Sequence, residues 1–511
     1  MRKIFYPFVL LLMMLSYGCA ADSEYANALP KDAAAVARIN MKAVYTKTKL
    51  NDKSQADAMN RFRAMIKSGL EGADNMIDKI FENGKESGID FGSDIYFFSG
   101  KNMSTLGCVA RLDSKGKFEE LIQLLHHQGI CTDIEQTDGC QWVAMGQWLI
   151  AYNNTCMVAL SDSQDKEAEK LKRRASMLLR QESEEGFSAT KDFELLHQKQ
   201  ADINMWMSLE LLPREVIYPV TMGVSGELNL NEIKGMLSVH FETGKTVIEL
   251  NSISNNKVLN SISQELDHAF GKLNGKYAEA FAANTPIWMS ANINGKELFD
   301  LICANPTLRH KMEGSIIPLD YKAIFGAISG ECALVITNVL TKEFILTGDV
   351  TGTDFLQTFE QLKPLLAMTN GQTTLQNINE HEYVFYTSDA STMGLRRGPI
   401  MLWTGVRNGK FYLTNNGEII GKRVLGQSLA DKAWGKNIKG NQYYSIINMQ
   451  AIRTSKSLNA LGGMIGHKLV LALNGLEYIT VSKGNESTLK LELVMTDKEK
   501  NLLQNLVNID F

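Results

Sequence analysis

Apolar positions along this chain fall into short alternating runs broken by amphipathic stripes, a pattern that predicts strands interspersed with helices. Ala35 to Asn40 reads as a strand leading into helical sequence from Ala58 to Phe81, whose apolar positions are Phe62, Met65, Ile66, Leu70 and Ile77. Strands follow at Asp94 to Ser99 and Gly107 to Leu112. A helix then begins near Ser114, its Phe118, Leu121, Ile122 and Leu125 spaced to form one stripe. Gln141 to Met145, Trp148 to Tyr152 and Cys156 to Ser161 read as a meander, with a turn at Asn153-Asn154. A charged helix from Asp165 to Gln181 would bury Ala168, Leu171, Ala175 and Leu178 and can pair Glu169 with Arg173 across one turn. Ile203 to Leu209, Glu227 to Leu230, Gly235 to Glu242 and Thr246 to Ile253 close this series as strands.

The same order of signals then returns. Ile287 to Ile293 reads as a strand, followed by a helix carrying Leu298, Leu301 and Ile302 and by strands at Ala333 to Thr337 and Glu343 to Val350. Phe355, Phe359, Leu362 and Leu366 repeat the helical stripe. Tyr383 to Thr387, Ile400 to Val406 and Lys410 to Asn415 repeat the meander, the last two joined by Asn408-Gly409, the strongest hairpin signal in the chain. Tyr443 to Met449, then Glu477 to Ser482 with Thr488 to Met495, match the earlier closing strands, and a helix around Lys498 to Val507 ends the series. Antiparallel runs interrupted by amphipathic helices predict an α+β protein of two related halves, residues 29–275 and 276–511, each a mainly antiparallel sheet with helices packed on one side. Helices at these intervals do not fit a transmembrane barrel, whose strands of about ten residues follow one another closely.

Ahead of this pattern, Arg2 and Lys3 precede a short apolar stretch from Ile4 to Leu15, as in a secretory leader over residues 1–18. That stretch is shorter than the roughly 20 apolar residues that span a bilayer, and no later run is long enough without charges or turn residues. Ser16-Tyr17-Gly18-Cys19 resembles a bacterial lipobox, with Ser16 where leucine is usual, and makes Cys19 the expected lipid carrier. Acyl chains contributing about 0.8 kcal/mol per buried methylene would hold the chain on a membrane. Ala20 after the cysteine, rather than aspartate, by resemblance to sorted lipoproteins points to the outer membrane. Residues 19–28, polar and alanine-rich, read as a lipidated tether.

At 511 residues, 44% apolar, 22% charged and with nine prolines, the composition is that of a globular protein of at least two domains. Removing Arg2 and Lys3 with the leader leaves 51 basic against 57 acidic residues, a charge of -6 that gives no electrostatic reason to expect nucleic acid. Six cysteines remain: Cys108, Cys131, Cys140, Cys156, Cys303 and Cys332. A hairpin at Asp138-Gly139 would set Cys140 opposite Thr137, so Cys131 and Cys140 do not face each other. Cys108 and Cys156 alternate with apolar neighbours and read as small core residues.

Chemistry is sparse. Neither a dinucleotide fingerprint nor a phosphate-binding Gly-Lys-Ser/Thr is present. Gly223-Val224-Ser225-Gly226 has the wrong glycine spacing for a nucleophile elbow. Adjacent His126 and His127 point in different directions from a helix end, where their positive charge suits the dipole better than a metal. His381-Glu382 lacks a second histidine at the spacing of a helical zinc site. Carboxylates are plentiful, but sequence spacing does not select the close pair that a glycosidase needs. Trp206 shares a strand face with Asn204 and Ser208, where an indole could stack on a sugar or partner unless a helix or the other half covers it.

Leu29-Pro30-Lys31-Asp32-Ala33-Ala34-Ala35-Val36 with Ile39-Asn40, behind the lipobox, resembles the opening of a family of uncharacterised Bacteroidetes lipoproteins, large two-part proteins. That resemblance implies the localisation and the architecture, and it supplies no catalytic residue. The expectation is a lipid-anchored envelope or cell-surface protein with a binding or scaffolding role, attached to the membrane through Cys19. It carries no catalytic, cofactor-binding or metal-binding assignment, and Trp206 is its one ligand-stacking candidate. The alternative is a lipid-anchored hydrolase acting on glycan or peptide, and a nucleotide or metal enzyme ranks third.

Overall fold

The computed structural model describes residues 23–507 apart from 51, 53–54, 70–73, 102–104, 138, 163–167, 213–228, 306–308, 311–318, 394–397, 422–423, 425, 455–472 and 485–487. The leader, Cys19 and the Gly223–Gly226 segment therefore lie outside the described residues. Two compact units divide the chain: one takes in the chain up to Pro213, Leu230–Ile253 and the stretch from Lys498, and the other is built on Ser254–Asp497. The division falls after Ile253 rather than at residue 275. The closing helix, Leu502–Val507, belongs to the first unit, where Asn501 Nδ2 donates to the carbonyl of Lys47 at 2.8 Å.

The first unit contains β1 (Ala35–Ile39), β2 (Ile95–Ser99), β3 (Thr105–Arg111), β4 (Glu135–Thr137), β5 (Cys140–Met145), β6 (Trp148–Tyr152), β7 (Cys156–Asp162), β8 (Ile203–Ser208), β9 (Ile233–Glu242) and β10 (Lys245–Ser254). Their order across the sheet is 4-5-6-7-3-2-1-8-9-10. Every ladder whose register is resolved is antiparallel, and the expected pairing of Thr137 with Cys140 forms. Besides the closing helix, the described residues of this unit form α1 (Met41–Thr48), α2 (Ala56–Gly69), α3 (Asp74–Glu82), α4 (Lys115–His127), α5 (Ala168–Arg180) and α6 (Lys191–Gln198). The helical sequence expected over 58–81 forms the two helices α2 and α3, and α6 was not anticipated. The local start signal of α6 is Thr190, whose hydroxyl accepts from the Phe193 N–H as an N-cap.

Helices cover both faces of this sheet, where one-sided packing was expected. Met41 of α1, Ile77 and Ile80 of α3 and the Phe118, Leu121, Ile122 and Leu125 stripe of α4 pack on Cys108, Ala110, Met157 and Ala159. On the opposite face, Ala175, Leu178 and Leu179 of α5 and Leu196 of α6 pack on Tyr96, Val109, Val158 and Leu160. Two-sided burial explains why Cys156 to Leu160 is an unbroken run of apolar or small residues: a strand wet on one face would alternate with polar positions. The Ser23–Ala28 turn also lies on the second face with Tyr25, Ala26 and Ala28 buried, so the folded body extends back into the expected tether.

Two details fix the register and the first helix. Phe98 stands directly across from Gly107, and a Cβ at Gly107 would lie 2.0 Å from the Phe98 ring, so the ring occupies the space the glycine leaves. Asp202 is buried, and its carboxylate accepts from Lys47 Nζ of α1 at 2.7 Å and from the Phe241 N–H of β9 at 2.6 Å. Its carbonyl also accepts from the Asn40 N–H at 2.9 Å. One aspartate thereby ties α1 to two strands.

The second unit contains the two-residue strand β11 (Phe270–Gly271), then β12 (Ile287–Asn294), β13 (Ile328–Asn338), β14 (Glu343–Val350), β15 (Thr373–Asn379), β16 (Glu382–Thr387), β17 (Ile400–Arg407), β18 (Lys410–Thr414), β19 (Tyr443–Asn448), β20 (Leu476–Lys483) and β21 (Thr488–Met495). Its order is 15-16-17-18-14-13-12-19-20-21, the strand order of the first unit with every number raised by eleven. Asn408 and Gly409 both have positive φ, 53° and 70°, as the two-residue hairpin between β17 and β18 requires. Its helices are α7 (Lys257–Ala269), α8 (Lys276–Glu279), α9 (Gly295–Ala304), α10 (Tyr321–Ala327), α11 (Gln357–Ala367) and α12 (Met449–Thr454). Trp288, Val335, Tyr412, Trp434 and Ile446 form one core, and Ala327, Phe355, Leu356, Tyr383 and Val406 form another.

All six described cysteines are free. Burial pushes the Cys108 thiol up to about 12 and the Cys156 thiol up to about 11. Both shifts favour the neutral thiol in the folded state, so their contribution to stability is complete below the unfolded value near 8.5. It is lost as pH rises toward 11 to 12.

Three outcomes are expected. Gly107→Ala should lower stability in urea by about 1 to 3 kcal/mol. Phe98→Leu in the same chain should recover part of that loss; a double-mutant cycle with no coupling would contradict the ring's dependence on the glycine. Asp202→Ala should cost about 2 to 3 kcal/mol by the same assay, because Lys47 and the Phe241 N–H lose a charged acceptor. Iodoacetamide at about pH 8.5 should label half-buried Cys303 well before Cys108 and Cys156, which should react only on unfolding.

Candidate functional site

Trp206 does not present an open stacking face. The polar side of β8 is the inward one: Asn204, Trp206 and Ser208 are buried while Ile203, Met205 and Met207 are half-buried. The Trp206 ring lies 5.0 Å from Phe187 and shares a core with Met236, so the fold fills the position a ligand would take. Asn204 is satisfied within the sheet, accepting from Ser238 Oγ at 2.9 Å and donating to the Lys199 carbonyl at 2.9 Å. Binary pattern alone misreads this strand because paired amides and hydroxyls can be buried at small cost.

The histidine pair resolves locally. His126 Nδ1 lies 3.2 Å from the Cys131 carbonyl, closing the loop that follows α4. Among the described residues no three His, Cys, Asp or Glu side chains are grouped to hold a metal ion. Glu382 starts β16 with its carboxylate held by Arg407, Nε at 2.5 Å and Nη2 at 2.9 Å. That guanidinium keeps the buried carboxylate below the usual range.

Each unit carries a polar knot where the segment before β1 or β12 meets the sheet. In the first, the Tyr25 hydroxyl donates to the Asp94 carbonyl at 2.7 Å, and Arg38 Nε meets Asp94 Oδ2 at 2.6 Å. Tyr96, opposite Arg38 in the ladder, has its hydroxyl 3.0 Å from His197 Nε2. His197 Nδ1 is 2.8 Å from the Phe193 carbonyl, which can only accept, so Nδ1 carries the proton and Nε2 accepts from Tyr96. Burial lowers the His197 pKa and raises those of Tyr25 and Tyr96, which keeps all three groups neutral near pH 7. In the second unit, the Tyr277 hydroxyl donates to Asp349 Oδ1 at 3.0 Å, and Asp349 also pairs with Lys276. Glu331, opposite Asn292, accepts from the backbone N–H groups of Asn274 and Gly275. A sequence signal for both knots was present: Tyr25-Ala26 and Tyr277-Ala278 each precede an Ala-x-Ile-Asn-x-Lys run, Ala37 to Lys42 and Ala291 to Lys296. Both Asn40 and Asn294 cap the following helix through their side-chain oxygen.

A small cleft of about 30 Å³ lies between α5 and strands β5 and β6 of the first unit. Trp142 forms its floor, with Lys172 Nζ 3.5 Å from the ring centroid. Glu169 pairs with Lys172 at 2.8 Å rather than with Arg173, the partner expected from sequence. The preference is geometric: stacking on Trp142 holds the Lys172 ammonium where the Glu169 carboxylate reaches it one turn away. Ser176 Oγ accepts from Arg180 Nη2 at 2.8 Å and lies 3.7 Å from Cys140 Sγ. The cleft thus joins an indole floor to ammonium, guanidinium and hydroxyl groups, an arrangement suited to holding an anion.

No curated protein matches the chain. Solved structures similar to it include crystal form III of TP0453, with 11% identity and a TM-score of 0.28 over 50% of this chain and 88% of that one. Crystal form IV of TP0453 gives 10% and 0.27 over 44% and 79%. Likenesses at this level carry no argument about function. The family model described as a domain of unknown function (DUF4836) matches residues 25–503, beginning at the tyrosine of the first knot, and the chain belongs to that family.

Proposed function

We propose that this protein is a lipoprotein of the bacterial envelope, anchored in the outer membrane through Cys19, whose two-unit body binds or scaffolds another component. The observation that carries the reading is the closeness of the lipobox to the folded body. Only residues 20–22 separate Cys19 from the turn that begins at Ser23, a reach of at most about 14 Å. No helix among the described residues is long and apolar enough to cross a membrane, so the acyl group is the attachment the sequence offers. Binding rather than catalysis is supported by where the titratable groups are spent. The most buried carboxylates among the described residues, Asp202, Glu331 and Glu382, accept from backbone N–H groups or form ion pairs. His197 is engaged through both ring nitrogens.

Protease treatment of intact cells, followed by detection in whole and lysed samples, tests the reading with Cys19→Ala as control. Wild type should pellet with outer membranes, and Cys19→Ala should be released to the soluble fraction. Digestion in intact cells would place the body on the surface, and protection until lysis would place it in the periplasm. A Cys19→Ala protein that still pellets with membranes would sink the anchor.

A further inference from the structure

We infer that the cleft between α5 and β5 is a binding site for a single oxyanion, the carboxylate or phosphate group of a small ligand, held by Lys172, Arg173 and Ser176. This inference rests on the binding reading above and names its ligand chemistry. Three observations converge on it. Lys172 is held in place rather than waving in solvent: its side chain is 16% exposed and its ammonium rests on the buried Trp142 ring. Arg173, one residue on, lines the same cleft and has no ion pair or hydrogen bond among the described residues. A guanidinium without a partner among the described residues, beside a fixed ammonium, is suited to capturing carboxylates and phosphates. The Ser176 hydroxyl takes a hydrogen bond from Arg180 and gives its own proton to a thiol sulfur at 3.7 Å, a weak acceptor that an anionic oxygen would displace.

The site already holds a stand-in. The Glu169 carboxylate sits 2.8 Å from Lys172, yet its side chain is 74% exposed, and Glu135 lies at 3.9 Å. Exposed pairs of this kind contribute about 1 kcal/mol or less, so a ligand that also engages Arg173 and Ser176 can replace Glu169 without unfolding anything. A cleft of about 30 Å³ admits one oxyanion head with the rest of the ligand outside.

The experiment is titration of the mature chain carrying Cys19→Ala with sodium phosphate and, separately, sodium acetate. Ionic strength is held constant with chloride, and binding is read by calorimetry and tryptophan fluorescence. Saturable binding in about the millimolar range is expected. Arg173→Gln and Lys172→Met should each weaken it by about tenfold or more, with melting temperature as the check that Arg173→Gln, at an exposed position, still folds. Glu169→Gln should strengthen binding, because the competing carboxylate is gone; a merely structural role for Glu169 would not give that sign. Phosphate binding more tightly than acetate identifies a phosphate-bearing ligand, and the reverse identifies a carboxylate. The inference is overturned if neither anion gives a saturable change beyond chloride, or if Arg173→Gln and Glu169→Gln leave the affinity unchanged. Since the titrated chain carries no lipid, this result is independent of whether Cys19 anchors the protein.

Discussion

Because β3 and β7 lie in the middle of their sheet with helices on both sides, their residues must be apolar or small at nearly every position. The rest of the first unit is arranged around that constraint. Helix α4 supplies one apolar stripe, while α5, α6 and the Ser23–Ala28 turn supply the other. Each large side chain buried there contributes about 1.5 to 3 kcal/mol. Close packing then leaves room for a ring such as Phe98 only where a neighbour gives up its side chain, as Gly107 does. The second unit repeats the device with different residues: Gly348 faces Cys332, whose sulfur would lie 2.5 Å from any added Cβ.

One strand order serves both units, and the segments before β1 and β12 carry the same Tyr-Ala pair at a similar distance from the same Ile-Asn turn into a helix. What each unit builds on that frame differs. The position beside that strand holds Tyr96 with a neutral histidine in one and Glu331 with two backbone N–H donors in the other. Both units place a buried polar group at this position, but only the first pairs it fully: Glu331 Oε1 takes both N–H donors while its buried Oε2 has no hydrogen-bond partner among the described residues, so the frame constrains polarity more than residue identity.

The cleft on α5 depends on the same frame. Residues 172, 173 and 176 share a helix, but the floor that converts a solvated lysine into a fixed one comes from Trp142, on a strand thirty residues earlier. The internal acid that shields it, Glu169, lies on the helix itself. A charged helix read alone is a solvated face; placed over an indole with one guanidinium left over, it becomes a place for an anion.

Periodicity alone determined much of this protein: an α+β chain, the α4 stripe, the Asn408-Gly409 hairpin, the opposition of Thr137 and Cys140, and a sequence of strands that occurs twice. Those features depend on contacts within a few residues or on one face of one element, and local pattern records them. Other features were decided only in three dimensions. Apolar runs such as Cys156 to Leu160 require a layer on each side, and no residue within the run says what the second layer is. Trp206 sits on a polar strand face that turns inward because Phe187 and Met236 cover it. The closing helix joins the first unit through Asn501 and Lys47, residues separated by almost the whole chain. Burial, unlike periodicity, is a property of what arrives from elsewhere in the sequence, and that is why the tertiary structure had to supply it.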